Sequence, residues 1–209
     1  MIRVIDHANR LRYRETLDRQ FRFRHEIFVR ERGWTDFDKD GEYEVDQYDN
    51  EKTIYHVALD DNEKVIGCFR LYPTLDPHMT SEVFPQLVDG QLLQRPDVLE
   101  MTRISVARDR RHGNTYYELL TGLQEYGLQQ GLSAVIAIIR LFRMPVVQNA
   151  GFKVHPLGLP QEIDGETLVA VKFDIDEPSL ERIRRTAQVN GPVLEDPDRI
   201  AARVLRKAS

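Results

Sequence analysis

The order of strand-like and helix-like segments is the feature that most constrains the fold of this chain. Two apolar runs, at residues 54–59 and 64–72, flank a polar turn at 60–63 and predict an antiparallel strand pair. Strand and helix patterns then alternate, with a strand at 98–106, a helix at 114–130, a strand at 134–139, a helix at 140–149 and strands at 152–155 and 168–174. This order predicts the α/β class, with a mixed, splayed sheet flanked by helices in a three-layer sandwich.

The two ends of the chain add further helices to this sheet. A helical region is predicted at residues 8–32, and Gly33 is predicted to end it. The stretch 35–50 is acidic and rich in turn-forming residues, which predicts a long loop. Amphipathic helices are predicted within residues 178–206, at 178–189 and 196–206. We expect one domain that spans residues 1–209.

The composition excludes several classes of function. A net charge of −5 at pH 7 argues against a broad basic surface, so no nucleic-acid partner is expected. No run of residues is long and apolar enough to span a bilayer, and residues 1–10 lack a secretory pattern, so we expect a cytoplasmic protein without membrane insertion. The single cysteine, Cys68, cannot supply an internal disulfide or a zinc cluster. It is predicted to be a buried strand thiol, and no metal is expected.

Charge is distributed unevenly along the chain. Residues 36–61 are strongly acidic, whereas arginines make the middle of the chain basic. Arg110, Arg111 and Gly113 lie between a predicted strand and a predicted helix, where backbone N–H groups can bind phosphate oxygens. An ordinary basic loop with Gly113 as its turn residue explains the same residues. Both interpretations stay open.

A set of spaced residues runs from the first predicted helix to the strand at 98–106. Its members are Arg24, Phe28, Trp34, Glu44, Asp46, Asp49, Arg70, Phe84, Glu100 and Arg103, within the strings RHEIFVRERGW, EVDQYD, GCFRLYPTLDPHM and EMTRISV. Their order and intervals resemble the acyl-homoserine-lactone synthases, or autoinducer synthases. Met101-Thr102 and Tyr72 depart mildly from the pattern of that family.

The resemblance implies a GNAT-type acyltransferase fold and a two-step reaction. An acyl thioester acylates the amine of S-adenosylmethionine, and lactone closure then releases methylthioadenosine, which yields a bacterial quorum-sensing signal. Both compounds are substrates, so no cofactor is implied. The loop from Arg110 to Gly113 is similar to the pyrophosphate loop of these acyltransferases, although Thr115 stands where a small residue is usual.

The residue types suit S-adenosylmethionine, which carries a sulfonium, an α-amine and a carboxylate. We expect Asp46 and Asp49 to hold the amine, and Arg103 to pair with the carboxylate. Phe28 and Trp34 offer aromatic faces to the sulfonium or the adenine.

Other members of the set are assigned to support and to proton transfer. Arg24, Glu44 and Arg70 are expected to form a supporting ion-pair network, and a purely structural network would use the same charges. Glu100 is the candidate base for the amine, directly or through a water, and it completes a catalytic set with Arg103 and Asp46. Strand alternation would place Glu100 and Arg103 on opposite faces, so a β-bulge is predicted between them.

The acyl chain is predicted to lie against the strand at 134–139 and the helix after it. The candidates for its pocket are Met101, Ala137, Leu141, Phe142 and Met144, which ordinary core packing would also explain. Relatives that prefer 3-oxo chains have a threonine near position 137. Ala137 offers no hydrogen bond to a 3-oxo group, which implies an unsubstituted chain.

The acyl donor is either acyl-CoA or acyl carrier protein, and Arg110, Arg111 and Gly113 are expected to contact it. The strings SEVFP, RDRRHG, NAGF and PLGLP resemble the branch of the family that uses coenzyme A thioesters of short branched or aryl acids. Two other functions stay open. One is a different GNAT-type N-acyltransferase, and the other is a non-catalytic sensor that binds a thioester or a nucleotide.

Overall fold

The computed structural model describes residues 1–195. The strands are β1 (Ile2–Ile5), β2 (Asp38–Lys39), β3 (Tyr43–Glu44), β4 (Ile54–Leu59), β5 (Val65–Pro73), β6 (Val98–Val106), β7 (Ala134–Arg140), β8 (Val154–Pro156), β9 (Gln161–Ile163) and β10 (Glu166–Asp174). The α-helices are α1 (Arg14–Arg24), α2 (Met79–Glu82), α3 (Thr115–Gln129), α4 (Met144–Ala150) and α5 (Glu177–Ala187). Among residues 1–195, no helix has the length and apolar character needed to cross a bilayer.

A sheet of eight strands forms the centre of the molecule. Its order is β1-β4-β5-β6-β7-β10-β8, with β9 beside β10. Neighbouring strands are antiparallel except β6 and β7, which run parallel. The β6–β7 pairing extends only from Val98 and Ala134 to Glu100 and Ile136, after which the two strands part. The predicted mixed and splayed sheet is therefore confirmed.

Helices cover both faces of this sheet. On one face, α3 packs with α5 over the main core, which includes Leu119, Leu123 and Phe173. On the other face, α1 packs Leu17 against Tyr55. Burying one such apolar side chain stabilises the fold by roughly 1.5–3 kcal/mol. The predicted three-layer arrangement is confirmed.

The first helical region differs from the prediction. Instead of one α-helix over residues 8–32, α1 begins at Arg14 and passes into a π-helix, His25–Glu31. Gly33 ends the helical region with a φ of 75°, as predicted. Strand β9 was not predicted, and the predicted helix at 196–206 lies outside the described residues.

The segment 35–50 is not the irregular loop that its composition predicts. It begins with a 3-10 helix, Thr35–Phe37, and continues as the β2–β3 hairpin. The hairpin is largely exposed, but the side chains of Glu44 at its end and of Asp46 and Asp49 after it are at most 3% exposed. The acidic composition is misleading here because buried arginines neutralise these carboxylates.

Strand β6 contains a β-bulge, but not at the predicted position. Cys68 pairs with Ser105 but Arg70 pairs with Thr102, so β6 holds one extra residue in this interval. The bulge lies at Arg103, whose φ of 57° is in the left-handed region, and not between Glu100 and Arg103. It turns Arg103 away from the main core to the side of the strand that carries Glu100.

Cys68 is fully buried in β5, as predicted. Its Sγ lies 3.4 Å from Ser105 Oγ and 3.7 Å from Gln20 Nε2. Burial raises the pKa of the Cys68 thiol, so it stays protonated and weakly reactive at neutral pH.

Candidate active site

A cavity of about 690 Å³ lies where β6 and β7 part. One part of its wall is polar and aromatic, with Phe28, Trp34, Phe84, Glu100, Thr102 and Arg103. Another part is apolar, with Met101, Tyr116, Leu120, Ile139, Phe142 and Phe152. The splay of the sheet therefore creates one space with two chemically different walls.

Six buried charged side chains form one ion-pair network behind the polar wall. They are Arg24, Glu44, Asp46, Asp49, Arg70 and Arg103. Three guanidinium groups face three carboxylates, so the network is neutral. Removing one member would leave an uncompensated buried charge, so each member fixes the positions of the others.

Arg24 and Arg70 hold the inner carboxylates. Arg24 contacts Glu44 at 2.5 Å and Asp49 at 2.7 Å. Arg70 donates to both oxygens of Asp46 at 2.6 Å and lies 2.8 Å from Asp49. Burial alone would raise the pKa of Asp49, but the two guanidinium groups outweigh it and hold that pKa well below its usual range. Asp49 is therefore ionised and saturated within the network.

Arg103 is the network member that reaches the cavity wall. Its Nε donates to Glu44 Oε1 at 2.9 Å, and its Nη2 donates to Asp46 Oδ2 at 2.8 Å. Burial lowers the pKa of this guanidinium, which Glu44 opposes, yet an arginine stays charged at neutral pH. The polar wall thus carries a fixed positive charge.

Three aromatic rings surround the Arg103 guanidinium. Its central carbon lies 5.5 Å from the ring centroid of Phe28, 5.0 Å from that of Trp34 and 4.9 Å from that of Phe37. The rings of Phe28 and Trp34 also stack, 5.1 Å apart. These two rings, which the sequence predicts to face the substrate, line the cavity and also contact Arg103. Phe37 was not predicted as a site residue.

Glu100 is held by the first turn of α2. Its Oε1 accepts hydrogen bonds from Thr80 N at 2.7 Å and from Thr80 Oγ1 at 2.6 Å. Its Oε2 accepts one from Met79 N at 2.9 Å. A carboxylate offers about four acceptor sites, so one site on Oε2 is left for a water or an amine. Sequence analysis missed Thr80, because nothing marked it among the turn residues near it.

Only some of the residues predicted for the acyl pocket line this cavity. Met101 and Phe142 line the cavity. Ala137 is buried and does not line it, although Ile139, on the same face of β7, does. Leu141 is 37% exposed, and Met144 packs against the main core. The apolar wall comes from α3 and α4 more than from β7.

Four arginines lie at the more exposed rim of the cavity: Arg32, Arg111, Arg140 and Arg143. Gly113 also lines it, whereas Arg110 does not and lies near Asp60 instead, at 3.9 Å. Burial lowers the pKa of Arg32, and the neighbouring arginines at the rim lower it further. Arg32 was not predicted as a site residue, because its place in the helical region gave no hint that it faces the rim.

Asp46 and Asp49 do not line the cavity, so they are separated from it by Arg103. The structure brings together Phe28, Trp34, Glu100 and Arg103 from the predicted site. Together these groups present a carboxylate with a free acceptor site, a guanidinium and aromatic rings beside an apolar space. Such a site can bind a zwitterionic amino acid next to an acyl chain.

Comparison with known proteins identifies relatives of this chain. Residues 8–183 match the model of the autoinducer synthase family. The chain is 38% identical to the isovaleryl-homoserine lactone synthase of Bradyrhizobium diazoefficiens, over 97% of this chain and 92% of that protein. A solved CoA-dependent acyl-homoserine lactone synthase, BjaI, bound to S-adenosylmethionine and isopentyl-CoA, superposes with a TM-score of 0.87 at 38% identity. That superposition covers 93% of this chain and 92% of BjaI.

An acyl-CoA N-acyltransferase from Pseudomonas aeruginosa is similar in fold alone. It superposes with a TM-score of 0.55 at 16% identity and covers 82% of this chain and 97% of its own. The overall fold is therefore shared with that N-acyltransferase.

Proposed function

This chain is a member of the autoinducer synthase family and is an acyl-homoserine-lactone synthase, and from that premise we propose that it takes a short branched acyl group from coenzyme A. The observation that carries this proposal is the rim of four arginines around a partly apolar cavity. Guanidinium groups bind phosphates through charge-assisted hydrogen bonds, and coenzyme A carries a diphosphate and a 3′-phosphate. The name of the isovaleryl-homoserine lactone synthase, and the isopentyl-CoA in the BjaI structure, favour a branched acid.

We propose that Arg103 binds the carboxylate of S-adenosylmethionine. Its guanidinium is fixed by Glu44 and Asp46 and keeps its charge at the cavity wall. The exposed part of Trp34 is then available for the sulfonium or the adenine. Asp46 lies behind Arg103 and contributes a negative charge on the side of the amine, whereas the saturated Asp49 has a supporting role with Arg24, Arg70 and Glu44.

In the acylation step, the α-amine nitrogen attacks the thioester carbon, and the sulfur of coenzyme A leaves as a thiolate. An α-amine with a pKa of about 7.7–8.0 is already partly neutral at pH 7, so a base has a modest task. The free acceptor site on Glu100 Oε2 receives the proton of the amine directly or through a water. The proton finally reaches the departing thiolate.

In the second step, a carboxylate oxygen of the acylated substrate attacks the carbon next to sulfur. The carbon–sulfur bond breaks, and methylthioadenosine leaves as a neutral thioether. No acid is needed for such a leaving group, so this step depends on the geometry that Arg103 imposes. Neither step calls for a metal or a redox cofactor, and we propose that EDTA leaves the rate unchanged.

We also propose that the chain acts as a single domain in the cytoplasm, where both substrates are made. The Arg111 and Gly113 segment and the apolar residues Met101 and Phe142 are proposed to contact the donor. Phe142 is 66% exposed, so it would lie beside the pantetheine entrance.

The donor is tested by comparing kcat/KM for isovaleryl-CoA, octanoyl-CoA and isovaleryl acyl carrier protein, with release of methylthioadenosine as the readout. We expect isovaleryl-CoA to be the best donor. A clear preference for the carrier protein or for the long straight chain would overturn the donor assignment and leave the synthase activity untouched. Glu100→Gln, in which the proposed base is removed, serves as the control with slow release of methylthioadenosine.

A further inference from the structure

We infer that Tyr48 and Glu82 are positioning residues that couple the S-adenosylmethionine site to the placement of Glu100. The inference rests on the proposed function, in which Glu100 accepts the proton of the amine. The two residues lie outside the cavity wall. They join the segment that carries Asp46 to the short helix that holds Glu100.

The first part of this connection is α2. All three hydrogen bonds that Glu100 receives from the described residues come from Met79 and Thr80 at the start of this helix. The helix spans only four residues, Met79–Glu82. A helix of one turn has little stability of its own. Its position, and with it the direction of the free acceptor site on Glu100, therefore depends on contacts made by its other residues.

The second part is a hydrogen bond at the far end of α2. Tyr48 Oη donates to Glu82 Oε2 at 2.8 Å. Burial, followed by the bond to Glu82, raises the pKa of Tyr48 above its ordinary value, so the hydroxyl stays a donor at neutral pH. Tyr48 is only 5% exposed, whereas Glu82 lies at the surface. The buried tyrosine therefore fixes the exposed end of the helix.

The third part ties Tyr48 to the ion-pair network. Its backbone N–H donates to Asp46 Oδ1 at 2.9 Å, and its ring lies 5.7 Å from the guanidinium carbon of Arg70. Asp46 in turn accepts from Arg103 at 2.8 Å. When a substrate carboxylate engages Arg103, any shift of Asp46 moves Tyr48 and hence α2. Recognition of one substrate group is thus linked mechanically to the base.

The test uses Tyr48→Phe and Glu82→Ala, which remove the hydrogen bond from either side. The rate of acylation is measured as thiol release in a single turnover, with isovaleryl-CoA and saturating S-adenosylmethionine. We expect each variant to lower this rate about threefold to tenfold, the usual net worth of one hydrogen bond. KM for isovaleryl-CoA should stay within about twofold, because neither residue touches the donor.

Two variants serve as controls for the fold and for the hydrogen bond itself. Glu82→Gln keeps an acceptor oxygen and should retain most of the rate. Tyr72→Phe removes the hydroxyl of the tyrosine that packs edge-on against Tyr48 but donates nothing to α2, and it should also retain the rate. Thermal unfolding checks that all variants fold.

The decisive comparison repeats Tyr48→Phe in the Glu100→Gln background. If Tyr48 acts through Glu100, Tyr48→Phe should lower the acylation rate of the Glu100→Gln enzyme little further. The same fold-loss in both backgrounds, with Glu100→Gln itself slow, would overturn the coupling and leave Glu100 as the base. A Glu100→Gln enzyme as fast as the wild type would instead reject the role of Glu100 in the proposed function, and the coupling with it.

Discussion

Arg103 combines three constraints at a single residue. It occupies a left-handed backbone conformation with a φ of 57°, it bridges Glu44 and Asp46, and its guanidinium lies among three aromatic rings. A left-handed conformation costs a non-glycine residue roughly 1–3 kcal/mol, so the ion pairs and ring contacts must offset it. The planar fork of arginine serves two carboxylates at once, which a point charge cannot do.

We therefore expect Arg103→Lys to lose most of the synthase activity although it keeps the charge. With one or two charge-assisted hydrogen bonds lost, kcat/KM for S-adenosylmethionine should fall about 10- to 100-fold, and KM for the acyl donor should change little. Steady-state release of methylthioadenosine measures both. Arg95→Lys, in an exposed pair with Asp97, is the matched control. A wild-type kcat/KM for Arg103→Lys would remove Arg103 from the proposed site.

A second prediction about a single residue concerns His56. It is fully buried in β4, with ring centroids of Phe69 and Tyr126 at 4.3 Å and 4.7 Å, and neither of its nitrogens has a hydrogen-bond partner among the described residues. Burial lowers the pKa of His56 to about 3. Below pH ~6.5 the unfolded chain binds a proton here that the folded chain does not, so the free energy of unfolding falls as pH falls.

The effect is measured by urea unfolding of the wild type and His56→Leu at two pH values. When the pH is lowered from ~7 to ~5, the free energy of unfolding of the wild type should fall by about 2 kcal/mol more than that of the variant. Equal losses would mean that His56 gains its proton without unfolding, through water that reaches the ring.

At the scale of elements, the strands of the sheet could be predicted from the sequence, because apolar alternation and turn residues are local signals. The predicted bounds of β4 and β6 are those observed. The structure of the segment after Trp34 could not be predicted, because its acidic residues from Glu44 to Asp49 are buried by pairing with arginines of distant elements. The π-helix at residues 25–31 was not predicted for a different reason: side-chain spacing alone does not distinguish a π-helix from an α-helix.

The end of α4 gives a prediction about stability. Gly151 has a φ of 121°, and a Cβ atom there would lie 2.8 Å from Arg182 Cβ and 2.9 Å from the backbone nitrogen of Ile183 in α5. Gly131, after α3, also has a positive φ but has no atom within 4 Å of such a Cβ. Gly131→Ala should lower the free energy of unfolding by about 1–2 kcal/mol, because alanine is strained in this backbone conformation.

Gly151→Ala should lower the free energy of unfolding by roughly 2–5 kcal/mol, because the displacement of α5 adds to the backbone strain. Urea unfolding of the two variants side by side measures the difference. Equal losses would show that α5 yields at this contact without strain, and that α4 and α5 are not locked together by it.

At the scale of the whole molecule, the positions of the site residues follow from the splay between β6 and β7. The identities of Glu100, Arg103, Phe28 and Trp34 could be drawn from the sequence because their spacing resembles the family. The acyl wall could not, since which residues of β7 meet the cavity depends on where the two strands part. Ala137 therefore lies in the core, while Tyr116 and Leu120 of α3 line the cavity.

The charge of the whole molecule leads to a last prediction. The chain carries a net charge of −5, yet four arginines gather at the rim of one cavity. An anionic donor is thus attracted locally by a protein that repels it at long range. Because salt shortens the Debye length from about 10 Å at 0.1 M to about 3 Å at 1 M, attraction at the exposed rim should weaken as salt rises.

We expect KM for isovaleryl-CoA to rise about threefold to tenfold between ~0.05 M and ~0.5 M NaCl. The same acyl group on N-acetylcysteamine has no phosphates, so its KM should stay nearly constant and report any effect of salt on the fold or on S-adenosylmethionine. Arg143→Ala should reduce the salt dependence for isovaleryl-CoA without changing the rate with the truncated donor. If both donors respond equally to salt, the rim does not bind the phosphates of coenzyme A, and the attraction must come from elsewhere on the surface.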